Sequence, residues 1–245
     1  MVLFLTSSPC DDNVPQGVHL PCILDASNDF VKRLAQHWKS DARLLIICSD
    51  PHNAPLNDEM LSTFTGAFRY HGLSVGSAAI LDARNEQRAA ALVSLSDVIL
   101  LAGGHVPTQL AFFEQIGLRG LMRRFTGVVI GISAGSMDSA DVVYAQPEEP
   151  GESVDPRYER FPRGLGLTDV MILPHLQKVR HDILDGRRLF DDITFEDSMG
   201  RRFIAMPDGS YVFVQDGRAT LCGEGWLIAD GHMEKICENG QTLEL

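Results

Sequence analysis

The sequence predicts an α/β protein in which helices cover both faces of a mostly parallel β-sheet. Through the first two thirds of the chain, short apolar runs rich in β-branched and aliphatic residues alternate with helix-length amphipathic segments, as in doubly covered parallel sheets. The last third instead carries short runs joined by Asp-Gly and Gly-Glu-Gly, which are hairpin signals. We therefore expect one domain over residues 1–245, with antiparallel hairpins at about 202–238 forming a C-terminal meander at the sheet edge.

The elements follow from this pattern in chain order. The strands of the parallel sheet are predicted at 2–5, 43–48, 73–81, 97–102, 126–132 and 168–173. The helices between them are predicted at 29–38 after Ser27, 58–70 after Asn57, 85–95, 108–125 and 134–143. The hairpin strands are predicted at 202–206, 211–214, 219–222, 226–228 and 233–237. Segment 146–166 is dense in Pro, Gly, Glu and Arg, and we expect a loop that faces substrate there.

Composition excludes several function classes. Among 245 residues, 33 acidic residues against 21 basic ones give a net charge of −12, which opposes binding to a nucleic-acid backbone. Nothing approaches a continuous apolar run of about 18 residues, so no membrane partner is expected. The five cysteines have neither metal-ligand nor disulfide-framework spacing, which favours reduced thiols and a cytoplasmic protein that uses no metal or other cofactor.

The sharpest motif is Gly131-Ile132-Ser133-Ala134-Gly135, a GxSxG between a predicted strand and a predicted helix. A nucleophile elbow needs this context, because the tight turn exposes the serine hydroxyl while the glycines avoid clashes. A serine at an ordinary helix start is the alternative. Gly103-Gly104 ends the preceding strand, so the N–H groups of Gly104 and Ala134 are candidates for an oxyanion hole.

A histidine and an aspartate leave two later strands. Ligands bind beyond the carboxyl ends of parallel strands, and His175 follows segment 168–173 there, where a general base for Ser133 is expected. Asp208 follows segment 202–206 and would orient the histidine. For Asp208, a purely conformational role in an Asp-Gly turn is an equal competitor.

Five segments match a known family as a set. They are Leu3-Phe4-Leu5-Thr6-Ser7-Ser8, Leu100-Leu101-Ala102-Gly103-Gly104, the GxSxG with Ser136, Gly164-Leu165-Gly166-Leu167 leading to Pro174-His175, and Pro207-Asp208-Gly209. With Ser133, His175 and Asp208 in that order, the sequence resembles the peptidase E family of serine peptidases, which includes aspartyl dipeptidases and the related cyanophycinases. The resemblance implies a three-layer α/β/α sandwich similar to class I glutamine amidotransferases.

The resemblance also implies an activity. It is hydrolysis of small peptides, in particular dipeptides with an N-terminal aspartate, through an acyl-enzyme and a Ser-His-Asp triad. His105 stands where the family usually has Asn, so it is a candidate substrate contact that alters the family preference. Glu148 lies where some members carry a functional Asp, which makes it a rival acid or a substrate-binding group. Arg180 is a candidate partner for a substrate carboxylate.

Other functions fit parts of the same sequence. An α/β-hydrolase esterase would place its acid between the serine and the histidine, whereas here the best acid follows His175. A glutamine amidotransferase would need a cysteine in place of Ser133. A noncatalytic ligand-binding relative that keeps the elbow as a turn stays open, as does a serine hydrolase of other specificity. The sequence does not determine the oligomeric state, so a homodimer is also open.

Overall fold

The computed structural model describes residues 1–245 and contains sixteen strands and eight α-helices. The strands are β1 (Val2–Thr6), β2 (Cys10–Asp11), β3 (Ile23–Leu24), β4 (Ala42–Ile47), β5 (Val75–Leu81), β6 (Val98–Leu101), β7 (Val128–Ile132), β8 (Met171–Leu173), β9 (Ile183–Leu184), β10 (Arg187–Arg188), β11 (Arg202–Ala205), β12 (Tyr211–Gln215), β13 (Arg218–Cys222), β14 (Gly225–Ala229), β15 (His232–Cys237) and β16 (Thr242–Glu244). The helices are α1 (Phe30–His37), α2 (Ala54–Tyr70), α3 (Ala89–Leu95), α4 (Val106–Gln115), α5 (Leu118–Met122), α6 (Ala134–Met137), α7 (Leu176–Val179) and α8 (Phe195–Asp197). Ser27–Asp29 and Glu86–Arg88 are 3₁₀-helical, and Leu189–Thr194 is a π-helix.

The main sheet has eight strands in the order β16-β13-β12-β1-β7-β6-β4-β5. β1, β7, β6, β4 and β5 are parallel, and the antiparallel strands β12, β13 and β16 extend the sheet beyond β1. β1, β7, β6 and β4 are almost entirely buried, because their apolar side chains are covered on both faces, whereas the edge strand β5 is partly exposed. The predicted α/β class with a mostly parallel sheet is confirmed.

The helices form the outer two layers. The chain moves outward from β4 to β5 through α2 and back toward β7 through α3, α4 and α5, so right-handed crossovers place these two groups on opposite faces. Trp38, which follows α1, packs on Phe68 of α2 with ring centroids 4.8 Å apart, which puts α1 and α2 on one face. The three-layer α/β/α arrangement is therefore present.

Three predicted helices differ from the observed ones. α2 begins at Ala54, capped by Asn53 and with a proline in its first turn, while Asn57 lies inside the helix. The predicted helix 108–125 is two helices, separated by Gly117 with φ of +63°. The predicted helix 134–143 ends at Met137, because the next carbonyl groups accept hydrogen bonds from segment 165–167.

A second sheet of four strands, in the order β15-β14-β11-β8, changes the predicted arrangement. Segment 168–173 was expected in the main sheet, but β8 pairs in parallel with β11 in this second sheet. The C-terminal strands are antiparallel as predicted, yet they divide between the two sheets instead of forming one meander. Short connections after β11 and β13 carry the chain from one sheet to the other.

The second sheet has its own apolar core beside α6. Tyr144 and Phe203 are fully buried and stack with ring centroids 4.3 Å apart and nearly parallel planes. Such aromatic contacts stabilise a fold by about 0.5–1.5 kcal/mol beyond the burial of area. This core fixes β8 and β11 against the segment that follows the GxSxG. No helix in the structure is both long enough and apolar enough to span a bilayer.

Candidate active site

Ser133 occupies a strained turn between β7 and α6. Its backbone has φ of +49° and ψ of −113°, a conformation that a non-glycine residue adopts only when its surroundings impose it. A Cβ atom on Gly131 would lie 2.8 Å from Ser136 Cα, and one on Gly135 would lie 2.3 Å from the carbonyl oxygen of Leu101. Both glycines of the motif are therefore sterically required, as in a nucleophile elbow.

The end of β1 holds this turn in place. The Ser133 N–H lies 3.1 Å from both the Thr6 and the Ser7 carbonyl oxygens. Ser136 Oγ donates to the Thr6 carbonyl oxygen at 2.7 Å, and Thr6 Oγ1 donates to the Gly131 carbonyl oxygen at 2.7 Å. The position of Ser133 is thus fixed by hydrogen bonds to the neighbouring strand.

His175 and Asp208 leave adjacent parallel strands of the second sheet. Leu173 at the end of β8 pairs with Ala205 at the end of β11, so the two candidate side chains follow at the same end of that sheet. His175 Nδ1 lies 2.6 Å from Asp208 Oδ1. Glu148, the rival acid, has no hydrogen bond to His175.

The Asp208 carboxylate accepts further hydrogen bonds. Ser7 Oγ donates to Oδ1 at 2.8 Å, Gln177 Nε2 donates to Oδ2 at 2.6 Å, and Lys178 Nζ lies 2.8 Å from Oδ2. Burial opposes the charge of this carboxylate, but hydrogen bonds from His175, Lys178 and Ser7 outweigh burial and hold the pKa of Asp208 well below its usual value. The group is therefore an anion at neutral pH.

Ser7 links the two sheets at the site. Its hydroxyl accepts the backbone N–H of His175 at 2.7 Å while it donates to Asp208. Ser7 follows β1 of the main sheet, whereas His175 and Asp208 belong to the second sheet. The convergence expected along one sheet edge thus arises where two sheets meet.

A cavity of about 240 Å³ lies beside Ser133 and His175. Ser133, His175 and Gly104 line it together with the carboxylates Glu148 and Asp182. The other lining residues are apolar or neutral, and none is Lys or Arg: Val106, Met137, Gln146, Pro147, Pro174, Val179, Ile183, Leu184 and Leu189. No hydrogen bond joins Ser133 to His175, although both side chains line the same cavity.

The β9–β10 hairpin forms part of the cavity wall and is tied to the opposite loop. Asp185, at the tip of this hairpin, accepts hydrogen bonds from the Gly151 N–H at 2.8 Å and from Ser153 Oγ at 2.7 Å. The hydrogen bond from Ser153 lowers the pKa of Asp185. Segment 146–166 is therefore a loop beside the cavity, and its start, through Glu148, lines the site.

Two backbone N–H groups are free near Ser133. The Gly104 N–H donates no hydrogen bond, and the Ala134 N–H, at the first position of α6, has no partner within the helix. A Cβ atom on Gly104 would lie 2.4 Å from Ser49 Oγ, so no larger residue fits there. Both groups can donate to an oxyanion.

Of the predicted substrate contacts, Glu148 lines the cavity, whereas His105 and Arg180 do not. His105 lies outside the cavity lining, with Nδ1 2.7 Å from Thr108 Oγ1 and Nε2 2.7 Å from Glu152 Oε1. Burial raises the pKa of Glu148 against an opposing effect of His105. Arg180 is exposed and lies outside the lining, and its side chain makes no hydrogen bond or ion pair.

Sequence reasoning assigned no role to Ser7 or Asp138. The one feature of the sequence that could have pointed to Ser7 is its position directly after β1. Asp138 is fully buried, and both of its carboxylate oxygens lack a hydrogen-bond partner. Burial, and secondarily the charge of Glu148, raise the pKa of Asp138 well above its usual value. Asp138 lies between Met137 and Ser139 in a stretch of mixed polarity, and this local sequence gave no indication of an unpartnered acid behind the elbow.

Comparisons with known proteins identify the family and the fold. The sequence model of peptidase family S51 matches residues 32–222. The fold is similar to the 1.5 Å crystal structure of a protein from Listeria monocytogenes EGD-e that carries the provisional name peptidase E; the TM-score is 0.57 at 14% identity, covering 96% of this chain and 98% of that one. No curated protein matches the chain. Since the family match spans most of the sequence, the chain belongs to peptidase family S51 and is a serine-type peptidase.

Proposed function

We propose that this peptidase hydrolyses small peptides through an acyl-enzyme on Ser133, with His175 as general base and Asp208 as the acid that orients it. The observation that carries the proposal is the 2.6 Å contact between His175 Nδ1 and Asp208 Oδ1, since His175 lines the same cavity as the strained Ser133. An Nδ1–H that donates to an anionic Asp208 leaves Nε2 unprotonated, as a base for serine requires.

The reaction proceeds in two halves. Substrate binding brings Ser133 Oγ and His175 Nε2 within hydrogen-bond distance, and Oγ attacks the scissile carbonyl while Nε2 takes its proton. The Gly104 and Ala134 N–H groups stabilise the oxyanion. His175 then protonates the leaving amine, and a water molecule activated by the same nitrogen releases the acyl group.

The cavity supports small substrates with a positive group. At about 240 Å³ it is small for a ligand site, which favours one or two amino-acid residues. Its two carboxylates, Glu148 and Asp182, favour the ammonium group of a free N terminus. Burial raises the pKa of Glu148, so a cation beside it would stabilise its ionised form.

The aspartate preference implied by the resemblance has less support. An aspartate side chain needs a positioned cation in a water-poor site, and no Lys or Arg lines the cavity. Lys178 pairs with Asp208, and Arg180 is exposed outside the lining. We therefore propose that recognition depends on the free amino group more than on an acidic side chain.

A dipeptide panel tests this proposal. Asp-Xaa, Ala-Xaa and Arg-Xaa, each with a free and an acetylated N terminus, are assayed with the wild type and with Ser133→Ala, which has to be inactive. We expect acetylation to lower kcat/KM at least tenfold, and Glu148→Gln to raise KM for the free dipeptides. Cleavage of acetylated and free substrates at equal rates would overturn the amine proposal. A large advantage for Asp-Xaa would restore the aspartate preference.

A further inference from the structure

Two cysteines of the β2–β3 hairpin lie in contact. Cys10 is in β2 opposite Leu24 of β3, and Cys22 directly precedes β3, which places both thiols on one face of the hairpin. Their sulfur atoms are 3.0 Å apart. A disulfide bond requires about 2.05 Å, so a shift of about 1 Å closes it. No hydrogen bond joins the other three cysteines to a second thiol, and each is buried.

The pair has the chemistry that thiol–disulfide exchange needs. The hydrogen bond between the thiols lowers the pKa of Cys22, while the same bond, together with burial, raises the pKa of Cys10. A thiol with a lowered pKa is more often ionised, and the thiolate is the nucleophile of exchange. Cys10 is partly exposed, which gives a small reagent access to the pair.

We propose that Cys10 and Cys22 form a reversible intramolecular disulfide, with a low-molecular-weight disulfide such as oxidised glutathione as the oxidant. One protein thiolate attacks a sulfur atom of the oxidant and expels a glutathione thiolate. The second protein thiol loses its proton and attacks the protein sulfur of the mixed disulfide, which expels the second glutathione. Two electrons pass from the two cysteines to the oxidant, which becomes two reduced glutathione molecules.

The bond would close a loop that packs on the helical layer. Residues 11–21 lie between the two cysteines, and among them Leu20 covers Gly66 of α2, where a Cβ atom would lie 2.4 Å from Leu20 Cδ2. Closing this loop restricts the unfolded chain and stabilises the native one. The oxidised protein is therefore expected to unfold at a temperature several degrees higher than the reduced protein.

The hairpin also borders the candidate site. The Asp25 N–H, just after β3, donates to the Pro9 carbonyl oxygen at 2.8 Å, and the Gly209 N–H donates to the Ser8 carbonyl oxygen at 3.3 Å. Ser8 follows Ser7, and Gly209 follows Asp208. The disulfide would accordingly restrict the motion of the segment next to Ser7 and Asp208. The hydrogen bonds of Asp208 itself would be unchanged.

Chemical trapping of the thiols in the full-length chain tests whether the disulfide forms. The reduced wild type is equilibrated with mixtures of reduced and oxidised glutathione, free thiols are alkylated after denaturation, and peptides are analysed by mass spectrometry. We expect a peptide cross-linked between Cys10 and Cys22, reversal by dithiothreitol, and alkylation of Cys48, Cys222 and Cys237. In Cys10→Ser the cross-link has to be absent. Oxidation must then also leave the unfolding temperature of this variant unchanged.

Two results would overturn the proposal. One is full alkylation of both Cys10 and Cys22 after exposure to oxidised glutathione alone. The other is glutathione attached to either cysteine without progress to the cross-link. Neither depends on peptidase activity, so the proposal stands or fails independently of the proposed function.

Discussion

Replacement of Asp208 by Asn tests how the histidine is held. The carboxylate accepts from His175 and Ser7 on one oxygen and from Gln177 and Lys178 on the other. An amide group can present its NH₂ to His175 Nδ1 and so move the ring proton to Nε2. That tautomer cannot accept the proton of Ser133, and we expect kcat to fall by about 10³- to 10⁴-fold.

Asp208→Asn is expected to lower the free energy of unfolding by only a few kcal/mol. The pair with Lys178 is largely exposed on the lysine side and contributes at most about 1 kcal/mol. Lost hydrogen bonds to the carboxylate add about 1–3 kcal/mol, which leaves the protein folded. The folded-state pKa of Asp208 is lowered, so its ionised carboxylate stabilises the folded protein fully above the unfolded-state pKa of about 4. This stabilisation is lost as pH falls from that value through the folded-state pKa.

The assay compares kcat on a cleaved dipeptide with urea unfolding for Asp208→Asn, Glu148→Gln and Asp182→Asn. Asp182 is a matched control, because it lines the cavity without contact to His175. We expect Asp208→Asn alone to lose nearly all turnover, while Glu148→Gln changes mainly KM. Activity of Asp208→Asn within tenfold of the wild type, with turnover abolished in Glu148→Gln, would refute the assignment of the acid.

Two further predictions concern residues that support the site. Ser7→Ala removes the hydroxyl that joins Asp208 to the His175 backbone, and we expect kcat to fall about 3- to 10-fold. The control Ser8→Ala should keep the wild-type kcat. Equal kcat for Ser7→Ala and the wild type would contradict the prediction. Asp138 has a raised folded-state pKa, so wild-type stability should decline by about 1.4 kcal/mol per pH unit above about pH 4 until that pKa is reached, relative to Asp138→Asn. Urea unfolding of both proteins at pH 5, 6 and 7 measures the difference, and parallel pH curves would exclude the raised pKa.

The parallel sheet was predictable because burial on both faces leaves a mark on the sequence. Strands β4, β6 and β7 appear as predominantly aliphatic runs, and each of the three lies within its predicted segment to within one residue. The elbow was predictable for a related reason. Gly131 and Gly135 are required by contacts with the backbone, so the local motif carries its own conformation.

The second sheet was not predictable from local patterns. β8 has three residues, and nothing in its composition distinguishes pairing with β11 from pairing in the main sheet. The early end of α6 has the same origin, since the carbonyl groups that would extend it are taken by segment 165–167, far along the chain. His175 and Asp208 nevertheless came together as expected, because each follows a strand of one parallel pair.

The cysteines show how a tertiary contact can change a prediction from spacing alone. Cys10 and Cys22 are separated by a loop with no recognisable framework, and the sequence favoured reduced thiols. The short strands β2 and β3 bring the two sulfur atoms together, and neither strand was predicted because each has only two residues.

Covalent labelling shows directly whether Ser133 is the nucleophile. The wild type is treated with a fluorophosphonate, and the modified residue is located by peptide mass spectrometry, with Ser133→Ala as the control and circular dichroism to show that both are folded. We expect one adduct, on Ser133, that forms more slowly in His175→Ala and is absent in Ser133→Ala. A folded wild type that takes up no adduct, or takes it up on a different serine, would contradict the assignment of Ser133 as the nucleophile.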